Sequence, residues 1–179
     1  MYSAVRLWEH RCLEAIHQQK LLKRLSKVFV AATYFGDGYL WLFVGLGLAI
    51  FGSGPDRQNV VVMFIITVLN IVFFRLSKHL TKRHRPDTDI ARGMKFRYID
   101  SYSFPSGHAT TSFGMAYMLA LFYPVPWVQL SVYAAATLIG FSRVYLAEHY
   151  PSDVIFGAIL GTVIAVLLVP LVRNLIPVF

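Results

Sequence analysis

Charge is what this 179-residue chain has least of: Asp, Glu, Lys and Arg make up 15% of it, where an ordinary soluble domain carries about 25%. Cysteine is nearly absent. Cys12 stands alone, which rules out an intrachain disulfide and a secreted disulfide scaffold and leaves the redox compartment unread. An apolar leader is also missing, because residues 1–27 are charged throughout, so no secretory signal peptide is expected. There is no internal repeat and no low-complexity segment. Acidic residues are few, 9 against 17 Lys and Arg, giving a net charge of +8 and a pI near 9.8. That balance points to an anionic partner: nucleic acid, anionic lipid or an anionic substrate.

What is present is hydrophobicity, 56% of residues, gathered into runs such as 60–74 and 154–172 that hold no charge at all. A spanning helix needs about 20 mostly apolar residues, so this length accommodates at most five or six spans and no separate soluble domain. The chain therefore reads as an all-α, polytopic membrane helix bundle, one domain over 1–179. Nucleic acid fits such a chain poorly, and the bilayer and its lipids fit it well.

Residues 1–27 read as an amphipathic segment, helical over 4–26, with Val5, Trp8, Cys12, Ala15 and Ile16 near one face and the charges elsewhere. Basic residues plus Trp8 suit a helix lying in the membrane interface; a solvated helix packed on its own protein has the same pattern. The bundle proper covers 28–172. Its first apolar stretch is interrupted by Gly36-Asp37-Gly38. An unpaired Asp at the bilayer centre costs roughly 3 kcal/mol, so a turn near the surface is expected there, with the span at 38–53. Further spans are expected at 58–76, from Pro105 as first helical residue to Tyr123, at 127–145 and at 151–172, five in all. A basic loop over 83–103 joins the second to the third. This topology puts the ends of the second and fourth spans and the starts of the third and fifth on one side, where the unusual polar residues lie.

Lys78 and Arg85 are seven residues apart, close to two helical turns, with Pro86 disfavouring helix at Arg85 itself. Alone they are a generic basic loop. Pro105-Ser106-Gly107-His108 opens a span. A helix start presents unsatisfied N–H groups to an anion; Gly107 leaves room for an oxyanion, Ser106 adds a hydroxyl donor, and His108 titrates. Taken singly, that His is a helix cap. Ser142-Arg143 closes a span, and His149 and Asp153, four apart, can meet so that a carboxylate on Nδ1–H fixes the tautomer and leaves Nε2 as a nucleophile. Glu148 reads as a solvated neighbour. Three cations and a helix N-terminus converging on one anion, with two histidines at hand, supply the positioning and charge stabilisation that phosphoryl transfer needs. No Cys/His/carboxylate grouping has metal-ligand spacing, so neither metal nor cofactor is expected.

These residues carry a resemblance. The chain resembles the type 2 phosphatidic acid phosphatase family of membrane lipid phosphatases, whose site is shared with vanadium haloperoxidases and glucose-6-phosphatase. The family's three motifs K-x6-R-P, P-S-G-H and S-R-x5-H-x3-D occur here as Lys78…Arg85-Pro86, Pro105-Ser106-Gly107-His108 and Ser142-Arg143…His149…Asp153, matching at all eleven fixed positions in order and spacing. The resemblance implies that His149 is the nucleophile that becomes phosphohistidine, oriented by Asp153. It implies that His108 is the general acid and later base, and that Lys78, Arg85, Arg143, Ser106 and Gly107 bind the phosphate. Two features depart from larger members: a first span is replaced by the amphipathic segment, and the loop between Pro86 and Pro105 is short.

A lipid phosphatase is thus the expectation, with phosphatidic acid, phosphatidylglycerophosphate, polyprenyl phosphates or pyrophosphates and lipid A phosphates as substrate types. A non-catalytic anionic-lipid binder or transporter needs only the cations and leaves the histidines and Asp153 idle. Haloperoxidase chemistry suits a membrane-buried site less. Fifteen of the 17 Lys and Arg fall on the motif-bearing side, leaving Arg57 and Arg173 opposite. That asymmetry places the site on the cytoplasmic face, whereas the family resemblance implies the outer face of a bacterial inner membrane. The apolar stripes fit lipid or a partner helix equally, so oligomeric state is not read.

Overall fold

A computed structural model describes residues 2–87 and 102–176. Eight α-helices make up the described chain: α1 (Tyr2–Gln18), α2 (Lys20–Arg24), α3 (Ser26–Tyr34), α4 (Leu40–Phe51), α5 (Gly54–Thr81), α6 (Gly107–Phe122), α7 (Pro126–Tyr145) and α8 (Pro151–Leu175). A π-helical turn, Phe35–Tyr39, joins α3 to α4 as one kinked rod. Most of the predicted basic loop, 88–101, lies outside the described residues. The ends of that loop are tied together, since the Ser103 amide donates to the Arg83 carbonyl at 2.7 Å.

Helix α6 is the axis of the bundle and packs against α5, α7 and α8. Along its whole length only Leu121 is exposed. Its small and polar residues, among them Thr110, Ser112 and Gly114, are buried against neighbours instead of lipid, so it need not be apolar. The outer helices are apolar on the side away from α6: Leu42, Phe43 and Ile50 of α4, Phe64 of α5, Leu130 of α7 and Ile155, Ile159 and Leu167 of α8 are all exposed. An outward apolar surface around a polar axis is the arrangement a bilayer favours. Rods Ser26–Phe51, Gly54–Thr81 and Pro151–Leu175 are long and apolar enough to cross a membrane. The expected third and fourth spans, α6 and α7, have 16 and 20 residues and lie among these three.

The two ends of the bundle differ. At one end Tyr123 donates to Asp56 at 2.7 Å, Gln58 donates to the Ile176 carbonyl at 2.6 Å and Arg173 lies 5.2 Å from the Phe122 ring. There Asp56 also closes the capping box of α5 by accepting from the Ser53 amide at 2.8 Å. At the other end lie Lys78, Ser106, Arg143, His149 and Asp153. The 28 residues of α5, about 42 Å at 1.5 Å per residue, outrun a bilayer core of about 30 Å. Its last turn therefore projects beyond the expected span at 58–76 as a polar extension.

Two boundaries differ from expectation. The Gly36-Asp37-Gly38 segment is an interruption, as expected: Gly38, at φ 113°, leaves helical geometry and kinks the chain between α3 and α4, and Asp37 lies at the site end of the bundle, paired with His108. Pro105 is not the first helical residue: it lies before α6, whose N-cap is Ser106. The single amphipathic helix is two helices, broken at an extended Gln19 (ψ 113°). The face of α1 that meets the bundle carries Glu9 and Leu13, while Val5 and Trp8 stay half-exposed.

Candidate active site

Three helix ends and one loop build the site. Helix α5 stops at Lys82, which adopts a left-handed conformation (φ 47°), and the chain then turns to bring Arg83 and Arg85 over the start of α8. The Ser106 hydroxyl caps α6 by accepting from the Ala109 amide, while the Ser106 amide donates to the Asp153 carbonyl at 3.0 Å. That bond locks the start of α6 to the start of α8. The loop between α7 and α8 holds Ala147 in the left-handed region (φ 53°), and the Glu148 and His149 amides both return to the Arg143 carbonyl. Arg143, Glu148 and His149 are thereby folded into one tight unit.

His149 is buried, with 1% of its surface exposed. Arg85 Nη1 approaches its Nε2 at 3.4 Å and donates to the Glu148 carbonyl at 2.9 Å. A cation facing Nε2 favours the tautomer with the lone pair there and the proton on Nδ1. Burial, then the charges of Arg85, Arg143 and Lys78, hold the imidazole well below its usual pKa, so it is neutral. Asp153 lies on the Nδ1 side, as expected, but its Oδ2 is 3.8 Å away, beyond hydrogen-bond reach. Its oxygens are engaged elsewhere: Oδ1 accepts from Arg83 Nη1 and Oδ2 from the Tyr150 amide, each at 2.8 Å.

His108 Nε2 donates to Asp37 Oδ1 at 2.8 Å. Gly36 makes room for that ring, since a Cβ at 36 would lie 2.8 Å from His108 Cδ2. Gly107 has a second reason to be glycine besides access to an oxyanion, because a Cβ there would lie 2.9 Å from the Phe74 ring. Lys78 is 5% exposed; its Nζ lies over the same ring at 5.9 Å and donates to the Tyr102 carbonyl at 3.0 Å. Its charge is felt at Glu148 and His149.

Glu148 is not a solvated neighbour. It is buried, its carboxylate takes Arg143 Nη2 as a short ion pair, and Arg85 Nη1 lies 3.7 Å from the same oxygen. The left-handed Ala147 and the Glu148 amide's bond to the Arg143 carbonyl set this side chain inward, against Arg143. Burial pushes the Glu148 carboxyl up from its usual pKa against the pull of both arginines. Arg143 Nη1 also donates to Thr33 at 3.2 Å. Thr33, Asp37, Arg83 and Glu148 thus join the eight residues read from the sequence. One signal was available for Asp37, a carboxylate inside an apolar run.

The family model of the PAP2 superfamily matches residues 59–177.

The chain belongs to the PAP2 superfamily.

This PAP2 chain is 31% identical over 153 residues to an undecaprenyl-diphosphatase of Sulfolobus acidocaldarius, covering 80% of the chain and 68% of that protein. It is 34% identical over 76 residues to a lipid A 4'-phosphatase of Bacteroides thetaiotaomicron, covering 42% of the chain and 34% of that protein. Among solved structures it superposes on a transmembrane PAP2-type phosphatidylglycerolphosphate phosphatase from Bacillus subtilis with a TM-score of 0.72 and 25% identity, covering 98% of this chain and 89% of that one.

Proposed function

We propose that this PAP2 phosphatase hydrolyses the phosphomonoester or pyrophosphate of a membrane lipid through a covalent phosphohistidine on His149, without a metal ion. The observation that carries this reading is the placement of His149: buried, with Nε2 3.4 Å from Arg85 Nη1, in a setting where burial and the charges of Arg85, Arg143 and Lys78 pull its pKa down toward the neutral ring. A site that only bound anions would gain from a protonated histidine. A nucleophile needs the neutral ring.

In the first step Nε2 of His149 attacks phosphorus, the bond from phosphorus to the lipid oxygen breaks, and His108, carried as imidazolium between Asp37 and the bound anion with its Nε2–H held by Asp37, gives that oxygen the proton from Nδ1. In the second step His108 takes a proton from water, the hydroxide oxygen bonds to phosphorus, and the P–N bond breaks to release phosphate. Lys78, Arg85 and Arg143 balance the charge on the phosphoryl oxygens, with the Ser106 hydroxyl and the first amides of α6 as further donors. Glu148 holds the Arg143 and Arg85 guanidiniums in place until phosphate takes them over. Lipid reaches the site from the bilayer side, and the relatives' printed substrates (undecaprenyl diphosphate, lipid A and phosphatidylglycerolphosphate) are all such amphiphiles.

The test is phosphate release by purified protein in detergent with EDTA present, across phosphatidic acid, phosphatidylglycerophosphate, polyprenyl phosphate and diphosphate, and lipid A, with His149→Gln alongside. Release that survives EDTA and is lost in the variant is expected. Turnover retained by His149→Gln overturns the nucleophile, and loss on chelation overturns the metal-free route.

We further propose that the site faces the cytoplasm, on the strength of the six Lys and Arg in residues 1–27, none of them among the phosphate ligands. Cys12 reports on this, being the lone cysteine, partly exposed, and on a helix docked at the site end. Labelling of Cys12 by an impermeant maleimide only after cells are opened is expected; labelling of intact spheroplasts places the site outside.

A further inference from the structure

Helix α1 is docked on the site by a buried carboxylate. Glu9 is 0% exposed, a position an acidic side chain occupies only when it is paired. Its Oε2 lies 2.5 Å from Arg83 Nη2, and its Oε1 accepts a short hydrogen bond from the Ser152 hydroxyl. The other arm of the same guanidinium, Nη1, donates to Ser152 Oγ and to Asp153 Oδ1, each at 2.8 Å. The guanidinium also lies 4.2 Å from the centre of the Tyr150 ring. Arg83 is therefore a bridge, with Glu9 on one arm and Asp153 on the other, and Asp153 is the carboxylate on the Nδ1 side of His149.

We infer that Glu9 is a positioning residue for the phosphatase reaction, acting through Arg83 on the Asp153–His149 pair. The inference rests on the reading of His149 as nucleophile. When Nε2 bonds to phosphorus the ring becomes cationic, and the charge of Asp153 is what steadies it. Arg83 holds Asp153 in that place, and Glu9 fixes Arg83 from its other arm. A planar guanidinium held at both arms cannot rotate, and a cavity of about 640 Å³, lined by Arg6, Glu9, His10, Lys82 and Tyr150, gives Arg83 space to swing outward once Glu9 stops holding it. This makes the N-terminal helix part of the catalytic unit, not a mere surface appendage.

The experiment uses the full chain in detergent and the panel lipid that the wild type hydrolyses fastest. Glu9→Gln keeps the shape and removes the charge. It is expected to lower kcat about tenfold to a hundredfold with KM within about twofold and an unchanged melting temperature, and Glu9→Asp is expected to recover most of the loss. Arg83→Gln tests the path from its other end, and the double variant Glu9→Gln/Arg83→Gln is expected to lose no more than the worse single one. A Glu9→Gln protein with wild-type kcat overturns the inference. So does a loss that follows the fraction of unfolded protein, that Glu9→Asp does not relieve, or that adds to the Arg83 loss. If Glu9→Gln is not recovered folded, the comparison of Glu9→Asp with Arg83→Gln decides, wild-type-like kcat in Arg83→Gln refuting the path. His149→Gln run in parallel separates the two readings: turnover there sinks the nucleophile itself, whereas a dead His149→Gln beside an unaffected Glu9→Gln sinks only the role of Glu9.

Discussion

Substituting Gly161 by alanine tests whether the close approach of α6 and α8 is what holds the site. A Cβ at 161 would lie 1.9 Å from the Thr110 carbonyl oxygen and 3.0 Å from its Cα, both backbone atoms that cannot step aside alone. Ordinary contact begins at 3.4 Å, so the two helices must part by about 1.5 Å at this level. One turn nearer the site, Gly157 meets the Ser106 carbonyl in the same way, and the Ser106 amide is bonded to the Asp153 carbonyl. Separation at 161 is therefore transmitted to the cap of α6 and the start of α8. Overpacking costs about 1–3 kcal/mol, and collision with backbone puts Gly161→Ala at the upper end. Misplacement of catalytic groups by about 1 Å costs on the order of a hundredfold in rate. Thermal unfolding and phosphate release in detergent measure both quantities. Gly47→Ala serves as control, because a Cβ there meets nothing within 4 Å. Wild-type stability and turnover in Gly161→Ala would refute the reasoning, and so would equal effects of the two substitutions.

Asp37→Asn removes the carboxylate that accepts from His108 Nε2, and a fall in kcat of about tenfold to a hundredfold with KM little changed is expected from steady-state kinetics. Ala147→Gly relieves a left-handed backbone that costs a Cβ-bearing residue about 1 kcal/mol, so a small rise in melting temperature with normal turnover is expected. Because His149 is held neutral by burial and by the nearby arginines, the nucleophile stays unprotonated as pH falls through 6.5. The acid limb that His149 imposes on kcat/KM is therefore expected below the ordinary imidazole range, and Arg85→Gln is expected to move it upward. The same depression has a sign for stability: below the unfolded value of about 6.5 the unfolded state binds the extra proton. The contribution of His149 is thus complete above that pH and declines by about 1.4 kcal/mol per unit beneath it, a trend that unfolding followed from pH 7.5 to 5.5 would check.

Most of the bundle and eight of the candidate site residues that it gathers at one end were readable because each rested on a local pattern. Apolar runs mark the outer helices, and the motif residues sit at helix ends where spacing along the chain equals spacing in space. What escaped was set by contacts between distant segments. Asp37 meets His108 across 71 positions, and Arg83 meets Glu9 across 74. Nothing in the spacing of residues 4–26 says that Glu9 is the buried residue, because its partner lies beyond the end of α5. Glu148 was misjudged for a related reason. Charge beside a catalytic residue ordinarily faces water, but a left-handed Ala147 turns this one toward Arg143. The long His149–Asp153 distance follows from the same cause, since Arg83 and the Tyr150 amide draw the carboxylate away.

The burial of α6 bears on how the molecule is assembled. A segment of 16 residues carrying serine, threonine and histidine gains little by leaving the translocon for lipid on its own, and its stability in the bilayer depends on neighbours. One of those neighbours, α8, is made after α6 and α7. While the nascent chain still lacks α8, Ser106 has no Asp153 carbonyl to hold and Arg83 has no Asp153 carboxylate. Insertion and assembly of the candidate site thus coincide: the later-made α8 both secures the axis of the bundle within the membrane and brings in the carboxylate beside His149, the proposed nucleophile.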